Sequence, residues 1–157
     1  MRVIYPGSFD PITKGHLDII KRIAPKSEKV YVAILNNSTK NYLFSLEERL
    51  ELIRKSCEDI ENIEVVYFDG LLVDFAKKLN CSIIIRGLRA VSDYEMEMQM
   101  ALVNRSMYKD LETLFMVADG NYSYLSSSIV KEVASYGGDI EQYVPKCVAE
   151  SLMKKLR

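Results

Sequence analysis

The chain has 157 residues, enough for one compact domain with a real core and too few for a second. Apolar residues make up 48% and charged residues 27%, a globular balance that excludes a disordered or collagen-like chain. A net charge of −1 excludes the basic surplus of a general nucleic-acid binder, but leaves room for a local Lys/Arg cluster that meets a small phosphorylated ligand.

In chain order, short β-branched runs alternate with longer amphipathic ones. Val3-Ile4-Tyr5 predicts a first strand, and the loop from Pro6 leads into a helix over Gly15 to Arg22. Val30 to Leu35 predicts a second strand, followed by a loop over Asn36 to Tyr42 in which Lys40 reads as an ordinary solvated lysine. A helix over Leu46 to Cys57 follows, with Ser45 and Glu48 at capping-box spacing. Ile63 to Phe68 (strand), Leu71 to Leu79 (helix) and Ser82 to Ile85 (strand) come next. Ser92 and Glu95 repeat the capping-box spacing ahead of a helix over Asp93 to Tyr108. Leu114 to Val117 predicts the fifth strand. A helix over Ser127 to Tyr136 is ended by Gly137-Gly138, and Val148 to Leu156 adds a terminal helix.

Most of the strand runs are continuously apolar, which predicts strands covered on both faces. The expected fold is α/β: a single Rossmann-like, doubly wound domain over residues 1–157, with a five-stranded parallel sheet and helices on both faces. Ligands of such sheets bind at the carboxyl ends of the strands. The amino terminus lacks the long apolar core of a secretory signal, and no run approaches the ~18 apolar residues of a membrane span. A cytoplasmic chain with no membrane or nucleic-acid partner is expected. Cys57, Cys81 and Cys147 are odd in number and never paired as C-x-x-C, so they read as buried small hydrophobes rather than a disulfide framework or zinc site.

Three segments carry chemistry. After strand one, Pro6-Gly7-Ser8-Phe9-Asp10-Pro11-Ile12-Thr13-Lys14-Gly15-His16 contains neither a G-x-G-x-x-G fingerprint nor a Walker A motif. It is a loop that opens a helix, whose free N–H groups and dipole suit a phosphate. His16, the only histidine, sits in that first turn. A neutral ring donating one N–H to a phosphate oxygen is expected there, against the plainer reading of a helix-capping histidine. After strand four, Arg86-Gly87-Leu88-Arg89-Ala90 places two permanently charged forks at a strand end. The plainer reading is ion pairing to Asp93, Glu95 or Glu97 when no ligand is bound. After strand five, Tyr122-Ser123-Tyr124-Leu125-Ser126-Ser127-Ser128 runs into a helix, as an anion site or simply as a cap with extra turn residues.

Thr13-Lys14-Gly15-His16 resembles the T/H-x-G-H signature of the nucleotidyltransferase superfamily, and Leu125 to Lys131 resembles its I-S-S-S-x-x-R/K signature, with Leu125 in place of the usual Ile. Over essentially its whole length the chain is similar to the bacterial phosphopantetheine adenylyltransferases. The likeness includes Arg86 to Ala90, Asp93-Tyr94-Glu95, Glu97-Met98-Gln99, Asn104-Arg105, Ser45 to Arg49 and the Gly138-to-Pro145 segment. Met96 stands where many members carry Tyr, and Leu72 where Met is also common.

The resemblance implies transfer of AMP from ATP to 4'-phosphopantetheine, giving 3'-dephospho-coenzyme A and pyrophosphate. It assigns ATP to Ser8, Phe9, His16, Gly87, Leu88, Arg89, Glu97 and Tyr122 through Ser128 (Tyr122, Ser123, Tyr124, Leu125, Ser126, Ser127, Ser128). The acceptor falls to Ser8, Lys40, Leu72 and Arg86, and the catalytic set is His16, Lys40 and Arg86. Mg²⁺ is expected on the ATP phosphates rather than on a protein cage. Coenzyme A is expected as feedback inhibitor, and a homohexamer, a dimer of trimers, as the assembly. The mechanism implied is direct in-line displacement, because no nucleophile–base motif is recognisable. The rival readings are a nucleotidyltransferase for glycerol phosphate or nicotinate mononucleotide, and a non-catalytic nucleotide sensor.

Overall fold

A computed structural model describes residues 1–157. Its one sheet holds five parallel strands in the order β3-β2-β1-β4-β5, formed by β1 (Arg2–Gly7), β2 (Lys29–Asn36), β3 (Ile63–Asp69), β4 (Ile83–Leu88) and β5 (Glu112–Val117). The helices are α1 (Lys14–Ile23), α2 (Leu46–Ser56), α3 (Leu72–Lys78), α4 (Val91–Met107), α5 (Ser127–Ser135) and α6 (Lys146–Lys155). The chain builds outward from β1 to β3, then returns to the other side of β1 for β4 and β5. Strand order therefore reverses between β1 and β4, and a crevice opens there at the carboxyl edge.

The alternation of side chains explains the two covered faces. Val3, Tyr5, Val30, Val32, Ile34 and Ile85 point into a core shared with α1, α2, α5 and α6. Ile4, Tyr31, Ala33 and Ile84 point the other way, onto α3 and the end of α4. Fully burying each such aliphatic side chain contributes about 1.5–3 kcal/mol, so the central strands hold the site's floor rigid. The expectation of coverage on both faces fails at the sheet's edges. β5 alternates between exposed and half-buried residues, and β3 keeps only Phe68 fully buried.

Strand and helix ends differ from the sequence reading in ways that matter for the site. β1 continues through Pro6-Gly7, because these residues pair with Ala33 and Ile34 of β2. β4 continues through Arg86-Gly87-Leu88, which pair with Phe115, Met116 and Val117 of β5. The capping box at Ser45 and Glu48 forms. The one at Ser92 and Glu95 does not: Ala90 is the N-cap, and Ser92 already lies inside α4. There the Asp93 carboxylate reaches back to the Arg89 N–H, at 3.2 Å. Gly137 ends α5 at φ +77°, with Gly137 and Gly138 donating to the Ala134 and Val133 carbonyls at 3.0 Å each. Cys57 and Cys81 are buried as expected, whereas Cys147 is half-buried beside the Ser56 hydroxyl. No helix is long and apolar enough to cross a membrane.

Candidate functional site

β1 and β4 pair at Ile4 opposite Ile84. Beyond that point a cleft of about 270 Å³ lies between the two strand ends, floored by Tyr5, Pro6, Gly7 and Ser8 on one side and Arg86 and Gly87 on the other. Two helix amino termini close on it, α1 through Thr13, Gly15 and His16 and α5 through Ser126 and Ser127; Arg89, Glu97, Tyr122 and Leu125 complete the wall. A larger depression, about 1000 Å³, lies over α1, the end of α2 and the start of α6. It touches no strand end, so the smaller cleft, where strand ends, two helix amino termini and two arginines meet, is the better candidate.

His16 is held by a capping box in which the histidine takes the part usually played by Glu. The Thr13 hydroxyl accepts from the His16 N–H at 3.3 Å, and His16 Nδ1 accepts from the Thr13 N–H at 3.0 Å. Because Nδ1 receives a proton, the neutral ring must carry its own hydrogen on Nε2. The capping and phosphate-donor roles are therefore compatible, one for each ring nitrogen. Phe9 meets the ring edge-on at 5.0 Å and limits its tilt. Burial, then the charges of Arg89 and Arg86, pull the imidazole pKa down to about 4.

A folded pKa below the unfolded 6.5 means that the unfolded chain takes up the extra proton first. His16 should thus contribute its full stabilising share above about pH 6.5 and lose it as pH falls toward about 4. As the sole histidine, its ring protons give one unambiguous NMR titration curve. A midpoint near 4 with the Nε2–H tautomer is expected; an ordinary midpoint near 6.5 would place the ring in solvent.

Arg86 is clamped before any ligand arrives. Its Nε and Nη2 donate to the two Glu97 oxygens at 2.7 and 2.5 Å, and Nη1 donates to the Pro6 carbonyl at 2.7 Å. Three of the guanidinium's five N–H groups are committed, leaving two for an anion. Burial opposes the charge of Arg86, but the paired carboxylate overrides it and the guanidinium pKa rises. Arg89 is fixed by Asp93 through Nε at 3.2 Å and by the Leu125 carbonyl through Nη1 at 3.0 Å. The ion pairs expected in the absence of ligand thus form with Glu97 and Asp93, while Glu95 forms none.

The loop after β1 turns sharply at Phe9, whose φ of 47° is rare for a side chain of that size and marks a constrained corner. Asp10 is buried and joins three parts of the chain. Its carboxylate accepts from the Leu43 and Phe44 N–H groups and from Lys131 Nζ, each at 2.9 Å. Lys131, the basic residue of the second signature, is therefore paired with Asp10 rather than pointing unpaired into the cleft. The serine run divides its tasks. Ser126 caps α5, Ser127 donates to the Pro11 carbonyl at 2.8 Å, and Ser128 is exposed. What α5 presents to the cleft is chiefly its first backbone N–H groups.

Ser8, His16, Arg86, Gly87, Arg89, Glu97, Tyr122, Leu125, Ser126 and Ser127 are brought together around the cleft. Phe9 is buried beneath it. Leu88, Ser123, Tyr124 and Ser128 lie outside the lining; Ser123 is spent on the Gly120 carbonyl, and Tyr124 packs edge-on against Tyr143. Lys40 and Leu72 also lie outside it, at the carboxyl edges of β2 and β3, Lys40 with no ion pair and Leu72 half-buried in the first turn of α3. Asp10, Thr13 and Arg49 had no individual role in the sequence reading beyond their places in the quoted motifs, although each ties down a segment at the site. Asp10 and Arg49 do so through residues distant in sequence, which no local pattern signals. No group of three His, Cys, Asp or Glu is close enough to hold a metal ion, and Asp10, Asp93 and Glu97 are each already engaged.

Residues 4–133 match the cytidylyltransferase-like family. The chain is 55% identical over 154 residues to the phosphopantetheine adenylyltransferase of Finegoldia magna, covering 98% of this chain and 95% of that protein. It is 56% identical over 158 residues to the enzyme of the same name from Caldanaerobacter subterraneus, covering 100% and 99%. Among solved structures it is similar to Plasmodium falciparum nicotinic acid mononucleotide adenylyltransferase complexed with NaAD, with a TM-score of 0.71, 17% identity and 98% and 94% coverage. That likeness concerns the fold.

Proposed function

The chain belongs to the phosphopantetheine adenylyltransferases of the cytidylyltransferase-like family, and from that premise we propose that its single domain, residues 1–157, joins AMP from ATP to 4'-phosphopantetheine in one step of coenzyme A biosynthesis. One observation carries the site assignment: a neutral His16 Nε2–H, two braced arginines with unused donors and two helix amino termini converge on one cleft at the β1/β4 reversal. That is a preorganised receptor for a chain of phosphates.

In this reading His16 and Arg89, with the backbone of α1 and α5, hold the ATP phosphates. Gly87, Leu88, Glu97 and the Tyr122-to-Ser128 stretch surround the nucleoside, and Ser8 and Phe9 shape the join between the two ligands. Lys40, Leu72 and Arg86 hold phosphopantetheine. An oxygen of the 4'-phosphate attacks the α-phosphorus in line, the bond to the pyrophosphate oxygen breaks, and no protein atom becomes covalently attached. The phosphate is already a nucleophile, so the protein needs no base. It holds two anions together and stabilises charge on the non-bridging oxygens. Mg²⁺ bound to the ATP phosphates would supply charge neutralisation there, beside the donors of His16 and Arg89.

The remaining expectations follow from the same resemblance: a cytoplasmic enzyme, inhibited by coenzyme A, assembled as a homohexamer. What supports assembly is the apolar surface of α4 and β5, where Val91, Met96, Met100, Leu102, Val103 and Val117 are exposed. The deciding experiment is detection of 3'-dephospho-coenzyme A by mass spectrometry. Pyrophosphate is expected only when ATP, Mg²⁺ and 4'-phosphopantetheine are all present. Equal turnover with glycerol phosphate or nicotinate mononucleotide would overturn the acceptor.

A further inference from the structure

Arg49 is almost fully buried, at 2% exposure, in the first turn of α2, and it forms no ion pair. Its Nη1 donates to the Ser8 carbonyl at 2.9 Å, its guanidinium carbon lies 3.9 Å over the Tyr42 ring, and its Nε is buried without a partner. Burying a guanidinium without a carboxylate is costly, and Met or Leu would fill the same space more cheaply if packing were its whole task. The two contacts it does make lie on the two loops that carry the acceptor-side residues. One is the loop of Ser8. The other is the loop of Lys40, and it is ordered in series: the Tyr42 hydroxyl accepts from the Asn37 N–H at 3.3 Å, and the Asn37 carbonyl accepts from the Lys40 N–H at 3.1 Å.

We propose that Arg49 is the positioning residue that ties the Ser8 loop to the Lys40 loop and so sets the width of the acceptor-phosphate site. It touches no reacting atom. Planar stacking on one side and a charge-assisted hydrogen bond on the other let a single rigid side chain fix the separation of two loops. Asp10 pins the far end of the same loop through Leu43 and Phe44, which leaves residues 37–42 as the part that Arg49 alone holds at the site. The inference rests on Ser8 and Lys40 serving phosphopantetheine.

The test compares Arg49→Met, Arg49→Lys and Tyr42→Leu in the full-length protein by hydrogen exchange and by steady-state kinetics. In Arg49→Met, amides 37–42 should exchange about 2–30-fold faster, as expected for loss of the guanidinium over the Tyr42 ring, while α5 is unaffected. KM for phosphopantetheine should rise and kcat fall by a similar factor, with KM for ATP rising clearly less, because Ser8 alone of the tied residues meets both ligands. Arg49→Lys, which keeps the charge but loses the fork, should fall between Met and wild type. Tyr42→Leu should reproduce the acceptor effect with Arg49 itself intact, and it carries the test if Arg49→Met does not fold. In a Lys40→Ala background, Arg49→Met should add little, because both act through one loop. Unchanged exchange at 37–42, equal rises in both KM values, or full additivity with Lys40→Ala would each overturn the proposal. If the wild-type protein makes no dephospho-coenzyme A, the acceptor assignment fails instead, and the exchange comparison still decides whether Arg49 joins the loops.

Discussion

Replacing His16 by Ala is expected to lower kcat by about 10²–10³-fold, the usual effect of removing one preorganised donor from a developing anion. The geometry makes that donor unusually well defined. The Thr13 N–H occupies Nδ1 at 3.0 Å, Phe9 bounds the ring at 5.0 Å, and the depressed pKa keeps the ring neutral, so Nε2 always presents one hydrogen. The same variant loses half of a capping box and should also lose about 1 kcal/mol of stability. A second substitution separates the two effects. His16→Gln can accept from the Thr13 N–H as capping-box glutamines do, so it should recover melting temperature relative to Ala. A folded Ala variant with near-normal turnover would reduce His16 to its capping role.

The sheet was legible because its central strands are runs of Val and Ile with nowhere to go but a core. Its limits were harder to read, because pairing between distant strands decides where a strand stops. Pro6-Gly7 and Arg86-Gly87 look like terminators, yet Ala33-Ile34 and Phe115-Met116 lie alongside and keep both strands extended. Ser92 has the spacing of a cap, but the extended backbone at Ala90 starts α4 earlier. The cleft-lining residues were visible one at a time, as charges and small residues at strand ends. Their supports were not. Asp10 finds its partners 33, 34 and 121 residues away, and Arg49 reaches Ser8 across 41. No local pattern encodes such pairings. The same holds for the serines, whose composition suggested hydroxyls for an anion while tertiary packing gave Ser127 to Pro11.

Arg86→Ala is expected to lower kcat/KM for phosphopantetheine by about 10²–10⁴-fold, since two charge-assisted hydrogen bonds are worth ~1.5–3 kcal/mol each. ATP affinity measured alone should change little. Arg86 is held on one side by both oxygens of Glu97 and on another by the Pro6 carbonyl, so its two unused N–H groups are aimed without further loss of freedom. Lys40 offers a charge from an exposed loop with no such brace, and Lys40→Ala should act in the same direction by only about 10–100-fold. Both variants should lower kcat as well as affinity, because a phosphate that is bound but not in line does not react. Arg86→Ala also leaves the Glu97 carboxylate, 19% exposed, without its cation, and the fold should be weakened by that alone. Adding Glu97→Gln removes the orphaned charge, so the double variant should regain melting temperature and remain inactive. Calorimetric titration of ATP and of phosphopantetheine, each alone, reads the division directly. If Lys40→Ala or Arg86→Ala weakens ATP and spares phosphopantetheine, the two halves of the site have been assigned the wrong way round.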